Sequence, residues 1–317
     1  MKALVVSSLS GPDALELKDV PDPQPGPGEV IVAVEAAGIN FADTLQSRGL
    51  YPSGPKPPYI PGLEFAGVIE NTQNRVMGFS GGRACAQRLT ANPAQLFPIP
   101  DQWSFVEAAA FPVNYFTAYF AYELAGLLEG GKGKRVLIHA AAGGVGTAAV
   151  ALGHLLGVET IGTASSDEKL ARLKPLGLTH AINYKSVDYE AAVKEITQGK
   201  GVHGAFDMLG GEHTARTTRC LAPLGQIVIY GLATGSPPEF DFLAMFTRNA
   251  SAHAFWLSPL LSYRERVLAA WKRLSEWIAQ GSLRPIVGAE LPLARSADGY
   301  RMLLERRNFG KVVLTTR

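Results

Sequence analysis

The sequence predicts an α/β fold, a doubly wound parallel sheet with an irregular β-rich unit beside it, on three observations. From about Val113 onward, apolar strand-like runs alternate with amphipathic helical patterns, the texture of βαβ units. Val136–Ala140 runs straight into the glycine turn Ala141–Gly146 and then into a helical run, Thr147–Leu156. The first hundred residues, by contrast, are rich in Pro and Gly and poor in helical periodicity.

Each element follows from local pattern. Strand candidates in the alternating part are 135–140, 158–163, 180–184, 204–209 and 226–231. They are short apolar runs, as strands buried on both faces should be. Tyr263–Gln280 reads as a long helix, 284–290 as a strand, 297–306 as a helix and 311–315 as a closing strand. In the first hundred residues, Glu29–Val34 and Phe65–Ile69 read as strands, separated by turn-forming clusters at Pro21–Gly28 and Pro52–Pro61. Phe105–Gly126 is the most membrane-like stretch, but Glu107, Pro112, Asn114 and Glu123 interrupt it. It reads as a buried helical segment rather than a membrane span.

Composition narrows the functional classes. The length suggests roughly two domains, and 47% hydrophobic with 18% charged residues is enough to build substantial cores. Thirty basic against 28 acidic residues give a net charge of +2, with no electrostatic footprint for nucleic acid. Cys85 and Cys220 are far apart and outside any CxxC spacing, so no disulfide framework is expected and a reducing, cytoplasmic location fits. The apolar run at the N-terminus is too short for a secretory signal.

The strand–glycine turn–helix unit at 136–156 is a Rossmann dinucleotide fingerprint, in which backbone N–H groups and the helix dipole receive a pyrophosphate. Ala142, Gly143, Gly144 and Val145 form the expected phosphate turn, and Gly146 should let the helix pack on the sheet. Ala141 stands where the usual first glycine would be. About twenty residues on, the fingerprint expects a carboxylate for the ribose 2′-hydroxyl. The strand Glu159–Thr163 ends instead in Ala164, Ser165 and Ser166, with Lys169 one helical turn later. Hydroxyls and an ammonium in place of a carboxylate suit a 2′-phosphate, so the expected cofactor is NADP. Two blander readings stand beside this one: Ser165 with Glu168 as a capping box, and Lys169 as a solvated helix residue.

Several motifs resemble the zinc-independent branch of the medium-chain dehydrogenase/reductase superfamily, the quinone oxidoreductase or zeta-crystallin group. They are Ala37–Asp43, Pro61–Gly67, Glu107–Val113, Val136–Gly146, Asp207–Gly211 and Gly310–Leu314. Val113–Tyr119 and Gly162–Ser165 are similar to the branch containing the vesicle amine transport protein homologues. The resemblance implies a GroES-like β-rich catalytic domain over 1–117, an NADP-binding Rossmann domain over 118–256, and a return segment over 257–317 completing the first. It also implies a homodimer and a small quinone or enone substrate. In zinc-dependent relatives a Cys matches Asn40 and a His matches Leu63. All six His lie at or after residue 139, and the first 130 residues offer only Cys85, so neither zinc site can be assembled. The connection between Glu70 and Val76 is shorter than the family's usual one.

Hydride transfer to a quinone or α,β-unsaturated carbonyl leaves negative charge on an oxygen. Without a Lewis acid, hydrogen-bond donors must stabilise it. The resemblance places Asn40, Asp43 and Tyr51 in the family's catalytic cleft. Asn40 and Tyr51 are the candidate donors, with Asp43 orienting a neighbour or a water. Equally, Asn40 caps the following helix, Asp43 belongs to its polar face and Tyr51 packs a turn. For the cofactor, the resemblance adds Thr117, Gly231, Phe255 and Leu257 near the nicotinamide half. It also places Tyr184 at the adenine end, with a core aromatic as the alternative. Arg306 and Asn308 would reach towards the phosphates, although Arg306 reads better as a solvated helix-end charge. The expected activity is an NADPH-dependent reductase. The rival reading is an NADPH-binding regulatory or structural protein of the same fold with little turnover.

Overall fold

The computed structural model describes residues 1–316, which fall into two compact units, Met1–Val113 with the segment from Arg284 onward, and Asn114–Leu283. In the first unit, β1 (Lys2–Val6) and β2 (Leu15–Asp19) pair as an antiparallel ribbon. Next come β3 (Val30–Ile39), α1 (Phe41–Gln46), β4 (Glu64–Ile69) and β5 (Arg75–Phe79). β6 (Arg88–Ala91), β7 (Leu96–Pro98) and α2 (Phe105–Ala109) complete the N-terminal part.

The second unit takes up the chain within α3 (Pro112–Leu124), then β8 (Arg135–Ile138), α4 (Gly144–Leu155), β9 (Glu159–Ala164) and α5 (Asp167–Leu173). β10 (His180–Asn183), α6 (Tyr189–Ile196), β11 (Val202–Asp207), α7 (Glu212–Arg219) and β12 (Leu221–Ile229) continue the alternation. α8 (Phe242–Arg248), β13 (Ser251–Ala254), α9 (Leu257–Leu260) and α10 (Arg264–Ala279) close it. The chain then returns to the first unit as β14 (Val287–Pro292), α11 (Ser296–Leu304) and β15 (Lys311–Thr315).

In the first unit the strand order is β14-β15-β3-β4-β5-β7, with β6 also pairing β3. Only the β14–β15 pair is parallel, so both chain ends build one mixed sheet. Val32, Val34, Phe65, Leu89, Val312 and Leu314 meet in its core. The short Glu70–Asn74 connection is a tight hairpin: Ile69 N–H donates to the Asn74 carbonyl at 3.0 Å, and Asn71 takes φ +61°.

In the second unit all neighbouring strands are parallel in the order β10-β9-β8-β11-β12-β13. Numbered from β8, this is the 3-2-1-4-5-6 order of the doubly wound dinucleotide fold. All carboxyl ends therefore lie along one edge, and the order reverses between β8 and β11. Leu137, Ile161, Ile182, Ala205 and Ile227 form its buried interior. β13 escapes sequence pattern because Ser-Ala-His-Ala carries no apolar alternation and stays largely exposed at the sheet edge.

The domain limits differ from those expected. The second unit starts at Asn114 rather than at 118, and it keeps the chain through Leu283 rather than through 256. The cause is α10, which buries Val267, Ala270, Leu274 and Ile278 within this unit. Arg266 pairs with Glu123 on α3 and lies over the Phe120 ring, and Arg273 pairs with Glu129. Among the described residues, no helix is long and apolar enough to cross a membrane.

Candidate functional site

The carboxyl edge of the parallel sheet is built from the turn after β8. Ala140 takes φ +49°, and Gly143 N–H closes the turn on the Ala140 carbonyl at 2.9 Å. Gly143 is then the N-cap of α4. The first-turn N–H groups, from Gly144 to Gly146, have no intrahelical acceptor and carry the positive end of the helix dipole. Gly146 does what the sequence suggested: a Cβ there would strike the Ala140 carbonyl and the Ala141 backbone, so only glycine lets α4 lie against the strand end. Gly144 has a packing role that the sequence did not suggest. Its missing Cβ leaves room for the Asn114 amide, whose Nδ2 and Oδ1 would each lie 2.7 Å from that Cβ. Ala142 is buried, while Gly143 and Val145 are half-buried.

At the end of β9, Ser165, Ser166 and Lys169 are all half-buried. The helix cap is Ser166 rather than Ser165, because α5 begins one residue later than a Ser165 capping box requires. Ser166 Oγ accepts the Lys169 N–H at 3.4 Å. Its hydroxyl proton can still donate, so capping and anion binding are compatible there. Burial first, and then the charges of Arg172 and Lys185, push the Lys169 ammonium below its usual pKa, with Glu168 opposing. Arg172 and Lys185 thus act on Lys169 as like charges near the end of β9. Asp167, the first carboxylate after the strand, is turned to Asn183 Nδ2 at 3.1 Å. Tyr184 is half-buried beside this corner, its N–H donating to the Ala164 carbonyl at 3.2 Å.

Elsewhere on the unit, Thr117 is buried one helical turn beyond Asn114 on α3. Gly231 packs against the Met208 backbone. The Phe255 side chain is core, edge-on to Phe120 at 6.3 Å, while its N–H continues the ladder to Ile229. Leu257 opens α9. At the reversal point, His139 is buried between Thr163 Oγ1 (3.2 Å) and Thr217 Oγ1 (2.9 Å), and burial lowers its pKa to about 4. Asp207 ends β11 and accepts from Leu209 N–H at 2.7 Å and the Thr214 hydroxyl at 2.6 Å.

The first unit gathers a second polar cluster. Asn40 is the N-cap of α1, as its alternative reading held. Its side chain does not stand free as an acceptor-facing donor, which corrects the catalytic expectation. Nδ2 donates to Glu64 Oε1 at 2.9 Å and to the Gly38 carbonyl at 3.4 Å, and Oδ1 accepts from Lys311 Nζ at 2.6 Å. Lys311 also pairs with Glu64, and both are buried (2% and 0% side-chain exposure). Glu64 Oε2 accepts the Val113 N–H at 2.8 Å. Asp43 is buried too and orients backbone, accepting from Asn40 N–H at 2.7 Å and Gly62 N–H at 3.3 Å. Burial raises its pKa to about 6, against the pull of those N–H groups and Lys311.

Tyr51 lies in the turn after α1, half-buried, with its carbonyl closing on Gly54 N–H. Arg306 is exposed at φ +56° in the left-handed cap after α11, which fits its reading as a helix-end charge. Asn308 Nδ2 donates to the Gly310 carbonyl at 3.1 Å. Among the described residues no three His, Cys, Asp or Glu side chains form a metal-binding group.

Sequence reasoning assigned no role to Glu64, Lys311 or Asn114. The available signal was charge in apolar company: Glu64 between Leu63 and Phe65, and Lys311 at the head of the buried strand Val312–Leu314.

A mixed β-rich unit fed by both chain ends, with a 3-2-1-4-5-6 sheet and an open glycine turn, defines a nucleotide-dependent dehydrogenase architecture. Residues 26–98 match the alcohol dehydrogenase GroES-like domain, and residues 144–276 match the zinc-binding dehydrogenase domain. The human synaptic vesicle membrane protein VAT-1 homolog is 35% identical over 99% of this chain and 86% of its own length. Rat quinone oxidoreductase-like protein 2 is 31% identical over 99% of this chain and 92% of its own. Among solved structures, the Thermus thermophilus quinone oxidoreductase, solved also with NADPH, is 37% identical with a TM-score of 0.90. It covers 99% of this chain and 100% of that one. The NADPH complex of the Escherichia coli quinone oxidoreductase superposes with a TM-score of 0.91 at 27% identity, over 99% of this chain and 100% of that one. The chain belongs to the medium-chain dehydrogenase/reductase family, among relatives named quinone oxidoreductases and VAT-1 homologues.

Proposed function

We propose that this protein is an NADPH-dependent reductase of quinones or α,β-unsaturated carbonyls. The observation that carries the reading is the carboxyl edge of the parallel sheet, where the first turn of α4 offers N–H groups without intrahelical acceptors and Arg172 and Lys185 act on a half-buried Lys169. The NADPH complexes of the two bacterial neighbours support it. NADPH, when bound, supplies hydride. Ala142, Gly143, Gly144 and Val145 offer their backbone to the diphosphate, and Ser165, Ser166 and Lys169 take the 2′-phosphate. Tyr184 lies along the adenine end. Thr117, Gly231, Phe255 and Leu257 border the nicotinamide half. The phenol of Tyr51 donates to the acceptor's carbonyl oxygen as charge develops there. Asn40 and Asp43 serve by holding the start of α1, and hence the loop that carries Tyr51. The same proposal takes the protein as a cytoplasmic homodimer, in keeping with two free, buried cysteines.

The engagement of Asn40 favours one rival, an NADPH-binding protein with little turnover, since it removes a donor that a reductase would use. Following NADPH oxidation across benzoquinones and enones separates the two. Turnover that is retained under chelators and depressed by Tyr51→Phe supports the reductase. Tight NADPH binding without oxidation of any acceptor selects the rival, and equal affinity for NADPH and NADH defeats the cofactor assignment.

A further inference from the structure

The amide of Asn114 occupies a place that no motif anticipated. Asn114 lies in the first turn of α3 and is only 4% exposed. A Cβ built on Gly144 would meet its Nδ2 and its Oδ1 at 2.7 Å and its Cγ at 3.0 Å. Equal approach to both polar atoms, with Cγ farther away, means that the Nδ2/Oδ1 end of the amide points into the space that a Gly144 Cβ would fill. Gly144 opens α4, where the unbonded N–H groups gather. A buried, neutral donor group is therefore packed onto the anion-receiving turn, with Thr117 on the same face of α3 three residues later.

We propose that Asn114 is a positioning residue for the cofactor diphosphate. It fixes the height of the α4 first turn through its contact with Gly144, and its Nδ2 is a donor beside the diphosphate oxygens. This rests on the NADPH reading above and deepens it. With the amide placed as it is, a Cβ at residue 144 would collide with its Nδ2 and Oδ1, so Asn114 and Gly144 are matched in this arrangement. A carboxylate in the same place would face the diphosphate with a negative charge while keeping the shape.

The chemistry separates Asn114 from the 2′-phosphate corner. ADP-ribose carries the diphosphate and lacks the 2′-phosphate; adenosine 2′-monophosphate carries the 2′-phosphate and lacks the diphosphate. Calorimetric titration of NADPH and both fragments into the full chain, its Asn114→Asp and Asn114→Ala variants and Lys169→Ala tests the assignment. Asn114→Asp should weaken NADPH and ADP-ribose together by about tenfold to a hundredfold, the range of a charge-assisted contact, and leave adenosine 2′-monophosphate unchanged. Asn114→Ala should act in the same direction more weakly, and Lys169→Ala should show the opposite fragment preference. ADP-ribose affinity unchanged in both Asn114 variants overturns the proposal, as does equal weakening of the two fragments, which marks a general loss of structure. If the parental chain binds neither NADPH nor ADP-ribose, the cofactor reading itself fails, whatever the variants do.

Discussion

Glu64, Lys311 and Asn40 in the β-rich unit, and the strand ends of the parallel sheet, are both polar regions, yet they are built differently. Every charged atom of the Glu64–Lys311 pair named above meets a partner from its own unit: an ammonium, an amide, or the Val113 N–H. The strand ends instead present first-turn N–H groups of α4 that have no intrahelical acceptor, and a half-buried lysine acted on by Glu168 and by the cations Arg172 and Lys185. Closed polar clusters fix a fold, and open ones bind. On this view the charge cluster of the first unit is structural scaffolding, and the proposed recognition chemistry lies in the second.

The largest test of that contrast is Lys311→Met. It leaves the Glu64 carboxylate buried without its cation, and breaking a buried pair from one side costs about 3–5 kcal/mol. Replacing both partners, Glu64→Gln with Lys311→Met, should recover much of the loss. Urea unfolding measures both. A Lys311→Met protein as stable as the parent would mean that the cluster is not closed in solution.

Mild acid should separate the two units further. Asp43 has an ordinary pKa of 3.8 and a native value of about 6, so the folded state holds its proton more tightly. Its contribution to the first unit is therefore full below about pH 4 and is lost as pH rises through 6. His139 runs the other way, from 6.5 to about 4 in the folded state. Its contribution to the second unit is present above about pH 6.5 and is lost as pH falls through 4. Each shift corresponds to about 3 kcal/mol. Amide exchange in β3 and β15 against β8 and β9, corrected for the intrinsic pH effect, should show opposite trends across this window. Asp43→Asn should flatten the first trend and His139→Gln the second. Parallel trends would show that other groups dominate.

Much of the second unit was legible because its signals are local. Val136–Ile138 and Ile227–Ile229 are short apolar runs bounded by turn signals, as buried parallel strands are, and Gly146 is a glycine for a contact within its own turn. What stayed hidden depends on distant pairs. Asn40 reads as a free donor until β15 brings Lys311 from 271 positions away to its carbonyl. Asn114 reads as an interruption in an apolar helix until α4 is laid beside it. The end of the second unit was misplaced for a related reason: an amphipathic helix such as α10 declares that it has a buried face, but not which unit supplies the other side.

A third test addresses the open region. Lys169→Ala should weaken NADPH by about tenfold to a hundredfold, from the ~1.5–3 kcal/mol of one charge-assisted contact, and leave NADH nearly unchanged. Fluorescence titration reads both. Loss of the two cofactors in equal measure would place Lys169 outside the 2′-phosphate site. The effect should shrink with added salt, since Lys169 is only partly buried.

The smallest expected effect distinguishes two adjacent serines. Ser166 caps α5 through the Lys169 N–H, whereas Ser165 sits between the end of β9 and that cap. Removing an N-cap hydroxyl typically costs about 1 kcal/mol, and at 3.4 Å this bond belongs at the weak end. Ser166→Ala should therefore lower thermal stability slightly and weaken NADPH as well, because the cap also holds the turn that carries Lys169. Ser165→Ala should leave stability untouched while still weakening NADPH relative to NADH. Such a split would show a single turn acting as both closed scaffold and open receptor, one residue apart. If instead Ser165→Ala destabilised the protein and Ser166→Ala did not, the capping box would begin at Ser165 in solution. The start of α5 would then have to move back by one residue, taking Lys169 about 100° around the helix and away from the end of β9.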